Sequence, residues 1–265
     1  MKIMTWNTLF GGFDGSDDRR YQLILEVVRN ERPDVLLLQE LKGYDANGGS
    51  RLFQTEQALG MRGLIGLAPH TGQHTAVFFK PGIEPVSFEV DAVHFHHAAS
   101  IAKLQLPGVE EPITFASVHL CPNSPRVRWR EAGYLVNLAD PSRLALVAGD
   151  FNSVSPHDPE PIGWANLAAH YRSRYVLPGS ETADRETLAT FYHHGFIDVA
   201  HRLGRTAEST APCKAFLASE FIPFRCDHMV TTPRLAEKAL DYRVIKNAHT
   251  DSASDHYPIV AEFGF

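Results

Sequence analysis

Polar residues of catalytic type end one apolar run after another in this chain. Asn7 follows KIMTW, Glu40 follows VLLLQ, His119 follows TFASV, and Asp150 and Asn152 come after ALVAG. A last group, Ser254-Asp255-His256, stands just before the apolar run at 258–263. Carboxylates and amides ligate hard cations, and histidines beside carboxylates move protons. Taken singly, each group has a bland reading. Glu40 is then a solvated strand end, the G-D-F-N stretch at 149–152 an Asx-type turn, S-D-H a turn before a strand, and His119 a buried, satisfied histidine. Together, in this order and all at strand ends, those readings would have to coincide, so one shared polar site is the economical account.

The elements that must position these residues are strand-dominated. Runs rich in β-branched and aromatic residues occupy 2–7, 34–39, 75–79, 100–106, 113–120, 144–149, 227–231 and 258–263. Several are apolar at nearly every position, which suits strands covered on both faces. Helices are expected after Asp18 over 19–30, after Ser50 over 51–59 with Gly60 behind it, from Ser124-Pro125 to about Ala139, and from Thr182 to Gly195. In a layered fold, strand ends of this kind gather at one rim, and a last strand antiparallel to its neighbour brings Asp255 and His256 to the same rim.

Composition narrows the setting. The 265 residues suit one domain over 1–265, and a 44% hydrophobic content with sixteen Phe supplies a core. A net charge of −6 gives no global basic footprint for avid polyanion binding, though a local basic groove remains compatible with it. No run of about 18 apolar residues predicts a membrane-spanning helix, and the opening MKIMTWNTLF, strand-like from its start, gives no expectation of an export signal. Three cysteines without C-x-x-C spacing argue against a disulfide framework or structural zinc, so a reducing, cytoplasmic setting is expected.

The motif set resembles the endonuclease/exonuclease/phosphatase superfamily across nearly the whole chain. Its carriers are T-W-N at Thr5 to Asn7, L-Q-E at Leu38 to Glu40, S-V-H-L at Ser117 to Leu120, G-D-F-N at Gly149 to Asn152, R-C-D-H at Arg225 to His228, and S-D-H at Ser254 to His256. The resemblance implies an α/β (α+β) fold: a four-layer α/β sandwich of two mostly antiparallel sheets packed face to face, with helices outside. Two departures stand out. Leu9 occupies a position where some relatives carry a carboxylate, and Cys226-Asp227-His228 replaces a more usual Ile-Asp-Tyr.

That resemblance implies metal-assisted hydrolysis of a P–O bond by water, with Mg²⁺, or Mn²⁺, as the cofactor. Glu40 is the expected principal metal carboxylate, with Asn7 nearby and Asp255 as a second or water-mediated ligand. Asp150, helped by Asn152, would deprotonate the attacking water. His256, its tautomer held by Asp227, would meet the phosphoryl oxygens, and His119 the phosphate or leaving oxygen. The expected activity is that of a phosphodiesterase or nuclease. A phosphatase acting on a nucleotide or other small molecule is the alternative within the same chemistry, and a non-catalytic protein of the same fold is the alternative outside it. The H-L pattern at His119 is closer to sphingomyelinase, deadenylase and deoxyribonuclease branches than to abasic-site endonucleases, which use tyrosine there. The partner is then a phosphoester, either nucleic acid or small molecule.

Other side chains carry weaker signals. His94, His96 and His97 look metal-like, but their spacing splits them between faces, which argues against a zinc site. His193-His194 reads as a favourable charge at a helix C-terminus, and Cys121 as packing. Arg126 and Arg130, four apart on a helix, are candidate phosphate contacts, with Arg128 pointing elsewhere. The segment 210–224 concentrates Phe216, Leu217, Phe221, Ile222 and Phe224 just before Asp227. Either these cap the core, or Phe216 and Phe221 wall the substrate pocket.

Overall fold

The computed structural model describes residues 1–206, 208–217 and 220–265. Its strands are β1 (Lys2–Asn7), β2 (Val35–Gln39), β3 (Arg62–Gly66), β4 (Thr75–Phe79), β5 (Glu84–Asp91), β6 (Ala99–Gln105), β7 (Ile113–His119), β8 (Ala145–Asp150), β9 (Ile197–Asp198), β10 (Asp227–Thr231), β11 (Ala239–Val244) and β12 (Ile259–Phe263). The helices are α1 (Arg19–Glu31), α2 (Ser50–Leu59), α3 (Pro125–Leu135), α4 (Ala169–Arg172), α5 (Glu186–His193), α6 (Val199–Arg202), α7 (Pro233–Ala236) and α8 (Thr250–Ala253). Two six-stranded sheets form, ordered β11-β12-β1-β2-β4-β3 and β5-β6-β7-β8-β10-β9. Each is antiparallel except at its centre, where β1 and β2, and likewise β7 and β8, run parallel.

The period-two alternation of a strand explains the layers. Ile3, Val35, Leu37, Val77 and Phe79 of the first sheet meet Leu104, Phe115, Leu146 and Met229 of the second in one core between the sheets. The alternate residues Met4, Trp6, Leu36 and Leu38 face outward onto Ile24, Val27 and Val28 of α1. On the other side Ala116, Val118 and Val147 lie under Ala132 and Leu135 of α3 and Leu188 and Phe191 of α5. The four-layer sandwich follows from strands that are apolar on both faces.

Eight strands appear where the sequence suggests them. The four it does not reveal, β3, β5, β9 and β11, are the four sheet edges. An edge strand lacks a continuous apolar run, and β5, with the sequence EPVSFEVD, is largely exposed. The helix expected from Thr182 begins four residues later, at Glu186, because Val176 and Ala183 first pair as an isolated bridge. Ser124 caps α3 as expected, accepting a hydrogen bond from the Val127 N–H, whereas Ser50 is the first residue of α2, behind Gly49. All three cysteines are free and buried. No helix among the described residues is long and apolar enough to cross a membrane.

Two local constraints hold the site end of the second sheet. Gly149 adopts φ +143°, and a Cβ there would stand 1.9 Å from the Val118 carbonyl oxygen, so only glycine lets β7 and β8 close at the rim. Beneath the start of β10, the buried Arg225 guanidinium contacts Asp158 at 2.6 Å and Asp198 at 2.7 Å. Tyr192 donates to the same Asp198 carboxylate, whose other oxygen caps α6. Burial works to raise the Asp198 carboxyl, but the Arg225 charge and its hydrogen bonds hold it well below the ordinary carboxylate range.

Gly149→Ala should therefore lower stability by at least about 3 kcal/mol in urea unfolding; a loss under about 1 kcal/mol would show that the rim yields to a methyl group. Asp198→Asn should cost about 3 kcal/mol at pH 7, because it leaves Arg225 buried with half its counter-charge. The depressed native carboxyl favours folding above its unfolded value of about 3.9, and that contribution disappears as the pH falls below it. The stability gap between wild type and Asp198→Asn should accordingly narrow below about pH 4, and a gap constant with pH would remove the ionised carboxylate from the account.

Candidate active site

Strand register builds half of the site. On three adjacent strands, His119 of β7 pairs with Asp150 of β8, and Asp150 pairs with Asp227 of β10. His119 and Asp150 of this row line a cleft of about 230 Å³ together with Glu40, Asn152, Asp255 and His256, and Asp227 stands behind His256. The first sheet supplies the facing wall. Asn7 ends β1 beside Gln39 of the parallel β2, and Glu40 is the next residue. The S-D-H turn is tied to this end by Ser254 Oγ, which donates to the Asn7 carbonyl at 2.7 Å, and by Trp6 Nε1, which donates to the His256 carbonyl at 2.7 Å.

Asp150 lies at the centre. Its Oδ2 accepts from Asn7 Nδ2 at 3.0 Å and lies 3.4 Å from His119 Nε2 and 3.7 Å from His256 Nε2, while Oδ1 accepts from the Asn152 backbone N–H at 2.8 Å. His256 Nδ1 bonds Asp227 Oδ2 at 2.8 Å. Burial pushes the Asp150 carboxyl up to about 7, against the pull of the His256 charge. Burial alone would lower His256, yet the carboxylates of Asp227 and Asp150 together raise it well above the ordinary histidine range. His119 goes the other way, held well below that range by burial and by neighbouring histidines.

Glu40 is partly open to the cleft. Its carboxylate accepts from Asn7 Nδ2 at 3.1 Å and from the Phe10 N–H at 3.3 Å, and burial together with the Asp255 charge pushes it up to about 7. Glu40 and Asp255 share the cleft, and the donors bonded to Glu40, the Asn7 amide and the Phe10 N–H, are neutral, an arrangement that fits a hard divalent cation. Asn7, expected among the ligands, instead turns its amide nitrogen to both Glu40 and Asp150, and its oxygen accepts from Leu9 N–H at 3.1 Å. Adjacent carboxylates need a donor between them, and the amide supplies it. Behind His256, the Cys226 thiol is fully buried and its proton is held by burial well above the ordinary thiol range, so it offers no hard-metal ligand. Leu9, Phe10, Glu40 and Asn152 all have positive φ, which places uncommon backbone conformations around the cleft.

The remaining candidates separate. Arg126 and Arg130 are exposed and do not line the cleft; Arg128, between them, is buried and bonds Ser153, the Cys121 carbonyl and the Arg174 carbonyl. Phe221 lines the cleft with its ring edge-on to His256 at 5.5 Å, whereas Phe216 packs on the core between the sheets. Ala218 and Ser219 of that segment lie outside the described residues. The cleft also contains Gln73, His97, Arg174, Tyr175 and Glu220, which the sequence did not single out as site residues. They come from loops with no strand-end pattern to mark them. The histidine cluster does divide between surfaces: His94 stacks on Tyr134, and His97 stacks on His119.

Comparison with known proteins agrees with this fold. No curated protein matches the chain. Among solved structures, an AP endonuclease from Archaeoglobus fulgidus superposes with a TM-score of 0.70 at 20% identity, covering 100% of both chains. A mannosyl-6-phosphatase from Bacteroides thetaiotaomicron gives 0.70 at 16%, also covering 100% of both. The 3′ phosphatase NExo from Neisseria gives 0.67 at 19% with the same coverage. At these identities the likeness is one of fold. The model of the Endonuclease/Exonuclease/phosphatase family matches residues 4–256, and the chain belongs to that family of phosphoester hydrolases.

Proposed function

We propose that this protein is a divalent-metal-dependent phosphodiesterase of nuclease type. The observation that carries the reading is the in-register row His119, Asp150, Asp227, with His256 bonded to Asp227 and the Asn7–Glu40 pair opposite. Glu40 and Asp255 would hold Mg²⁺ or Mn²⁺, which when bound draws charge from a phosphoryl oxygen. Asp150, with an affinity for protons near neutrality, takes one from the attacking water. Asn152 keeps the carboxylate aimed through its backbone N–H. His256, charged and fixed by Asp227, faces the negative phosphoryl group. His119, neutral, donates a hydrogen bond to the phosphate or the leaving oxygen, and the P–O bond to that oxygen breaks as the water oxygen bonds to phosphorus.

A second reading, a phosphatase acting on a nucleotide or small phosphoester, draws support from the cleft itself. At about 230 Å³ it is smaller than a usual drug-sized pocket and is closed on one side by Phe221, Tyr175 and the Arg174–Glu220 ion pair. Phe221 offers an apolar face beside the reaction centre, onto which a base or other flat group could stack.

Glu40→Gln, Asp150→Asn and His256→Ala should each fold and lose roughly 10²- to 10³-fold in turnover of a Mg²⁺-supported phosphodiester assay. A chelator should abolish wild-type activity reversibly. Any folded variant with near-normal turnover removes that residue from the mechanism, and activity indifferent to chelation removes the metal. Phe221→Ala should raise KM for a substrate bearing a flat group by roughly 5- to 150-fold and hardly alter hydrolysis of a small phosphoester. Phe216→Ala should instead lower thermal stability. Equal loss on both substrates for Phe221→Ala would make that ring a structural cap.

A further inference from the structure

His97 is buried to within 4% of complete and lines the cleft, yet its Nε2 has no hydrogen-bond partner. Its other nitrogen, Nδ1, lies 2.8 Å from Thr71 Oγ1. That hydroxyl already accepts from the Gln73 N–H at 3.2 Å, so its own proton is free to go to Nδ1, which leaves Nε2 carrying the ring's hydrogen. Gln73 reaches the same cleft, and its buried Oε1 also has no partner. A buried donor and a buried acceptor, joined through one threonine and both unsatisfied, call for a ligand group that supplies both roles. A hydroxyl group does so, accepting from the imidazole N–H and donating to the amide oxygen.

Position fixes where on the substrate that hydroxyl sits. The His97 ring stacks on His119 at 4.1 Å between centroids, and it is His119 that lies against Asp150. If His119 meets the phosphate or leaving oxygen, the next ring meets the group one carbon away. The stack is held rigidly, because one carboxylate, that of the buried Glu131, accepts from the backbone N–H of His96 at 2.7 Å and of Cys121 at 2.8 Å, clamping both loops. His97 stays neutral, since burial and His96 push it down to about 3, so it recognises a dipole rather than adding charge.

We infer that Gln73 and His97 form a subsite for a hydroxyl vicinal to the scissile phosphoester, so that the substrate is a ribose- or polyol-borne phosphate and not its deoxy counterpart. This rests on the reading of the cleft as a phosphoester site. The test measures binding to the Mg²⁺-loaded protein by calorimetry, together with hydrolysis, for the diester adenylyl-(3′→5′)-adenosine against its counterpart lacking the 2′-hydroxyl beside the phosphate and for glycerophosphocholine against propylphosphocholine. Inorganic phosphate serves as the reference ligand.

Wild type should prefer the hydroxylated member of at least one pair by roughly tenfold or more, and the pair that discriminates identifies ribose or polyol as the source. His97→Ala and, independently, Gln73→Leu should each lower the affinity or kcat/KM for the preferred member by roughly 10- to 100-fold and bring the ratio within the pair towards one. Equal treatment of both members by wild type overturns the subsite, as does a variant that weakens both members alike with the ratio unchanged. Failure of inorganic phosphate and of every phosphoester to bind would overturn the phosphoester reading and the subsite with it. Binding without discrimination overturns the subsite alone.

Discussion

Keeping several carboxylates together away from water is the constraint on which this structure turns. Asp150 and Asp227 are buried beside one imidazole, 3.7 Å and 2.8 Å from its two nitrogens, and Glu40 opens to the same cleft beside Asp255. Such a cluster is unfavourable unless each oxygen meets a donor. The donors present are mostly neutral and come from the backbone or amides: the N–H groups of Phe10 and Asn152, and the two-way amide of Asn7. Within the cluster the positive charge is confined to His256, so the carboxylates outnumber the cationic groups around them.

The sheets supply that arrangement through their central parallel pairs. Parallel neighbours put their C-terminal ends on the same side, so Asn7 with Glu40, and His119 with Asp150, emerge at one rim from two different sheets. Antiparallel flanking strands then bring their beginnings to that rim, which delivers Asp227 on one side and the Asp255-His256 turn on the other. Gln39 joins the two sheets just beneath, donating to Ser117 Oγ at 3.0 Å, while that hydroxyl donates to the Leu38 carbonyl at 3.1 Å. The relative position of the two halves of the site is thus set by hydrogen bonds inside the core.

What the sequence revealed follows the same physics. Strands buried on both faces announce themselves as unbroken apolar runs, and the principal acidic and histidine residues terminate such strands, so their gathering at a rim could be read directly. Edge strands such as EPVSFEVD have one neighbour and much exposed surface, and their composition resembles a loop. Helical spacing separated Arg128 from Arg126 and Arg130 but could not say which face met the protein; burial of the guanidinium among three oxygen acceptors is a tertiary outcome. The aromatic segment before Asp227 divided between the two readings, with Phe216 in the core and Phe221 on the cleft. The loop of His97 takes its place from partners distant in sequence, Thr71 and, through His96, Glu131, and no local pattern encodes that.

The two sheet orders, β11-β12-β1-β2-β4-β3 and β5-β6-β7-β8-β10-β9, are the same arrangement entered at different points. In each, a hairpin leads into the first strand of a parallel pair, and the later partner is followed by an inverted pair. The second sheet is continuous in sequence, but the first borrows its hairpin from residues beyond 238, and the amino group of Met1 donates to the Phe263 carbonyl at 2.7 Å. During synthesis on a ribosome, the half bearing His119, Asp150 and Asp227 has all its strands available before the half bearing Glu40. Its earlier partner must wait, with one flank of β1 unpaired, until the last strand emerges. Asp255 and His256, which stand just before β12, therefore join the rim after every other residue of the site has been made.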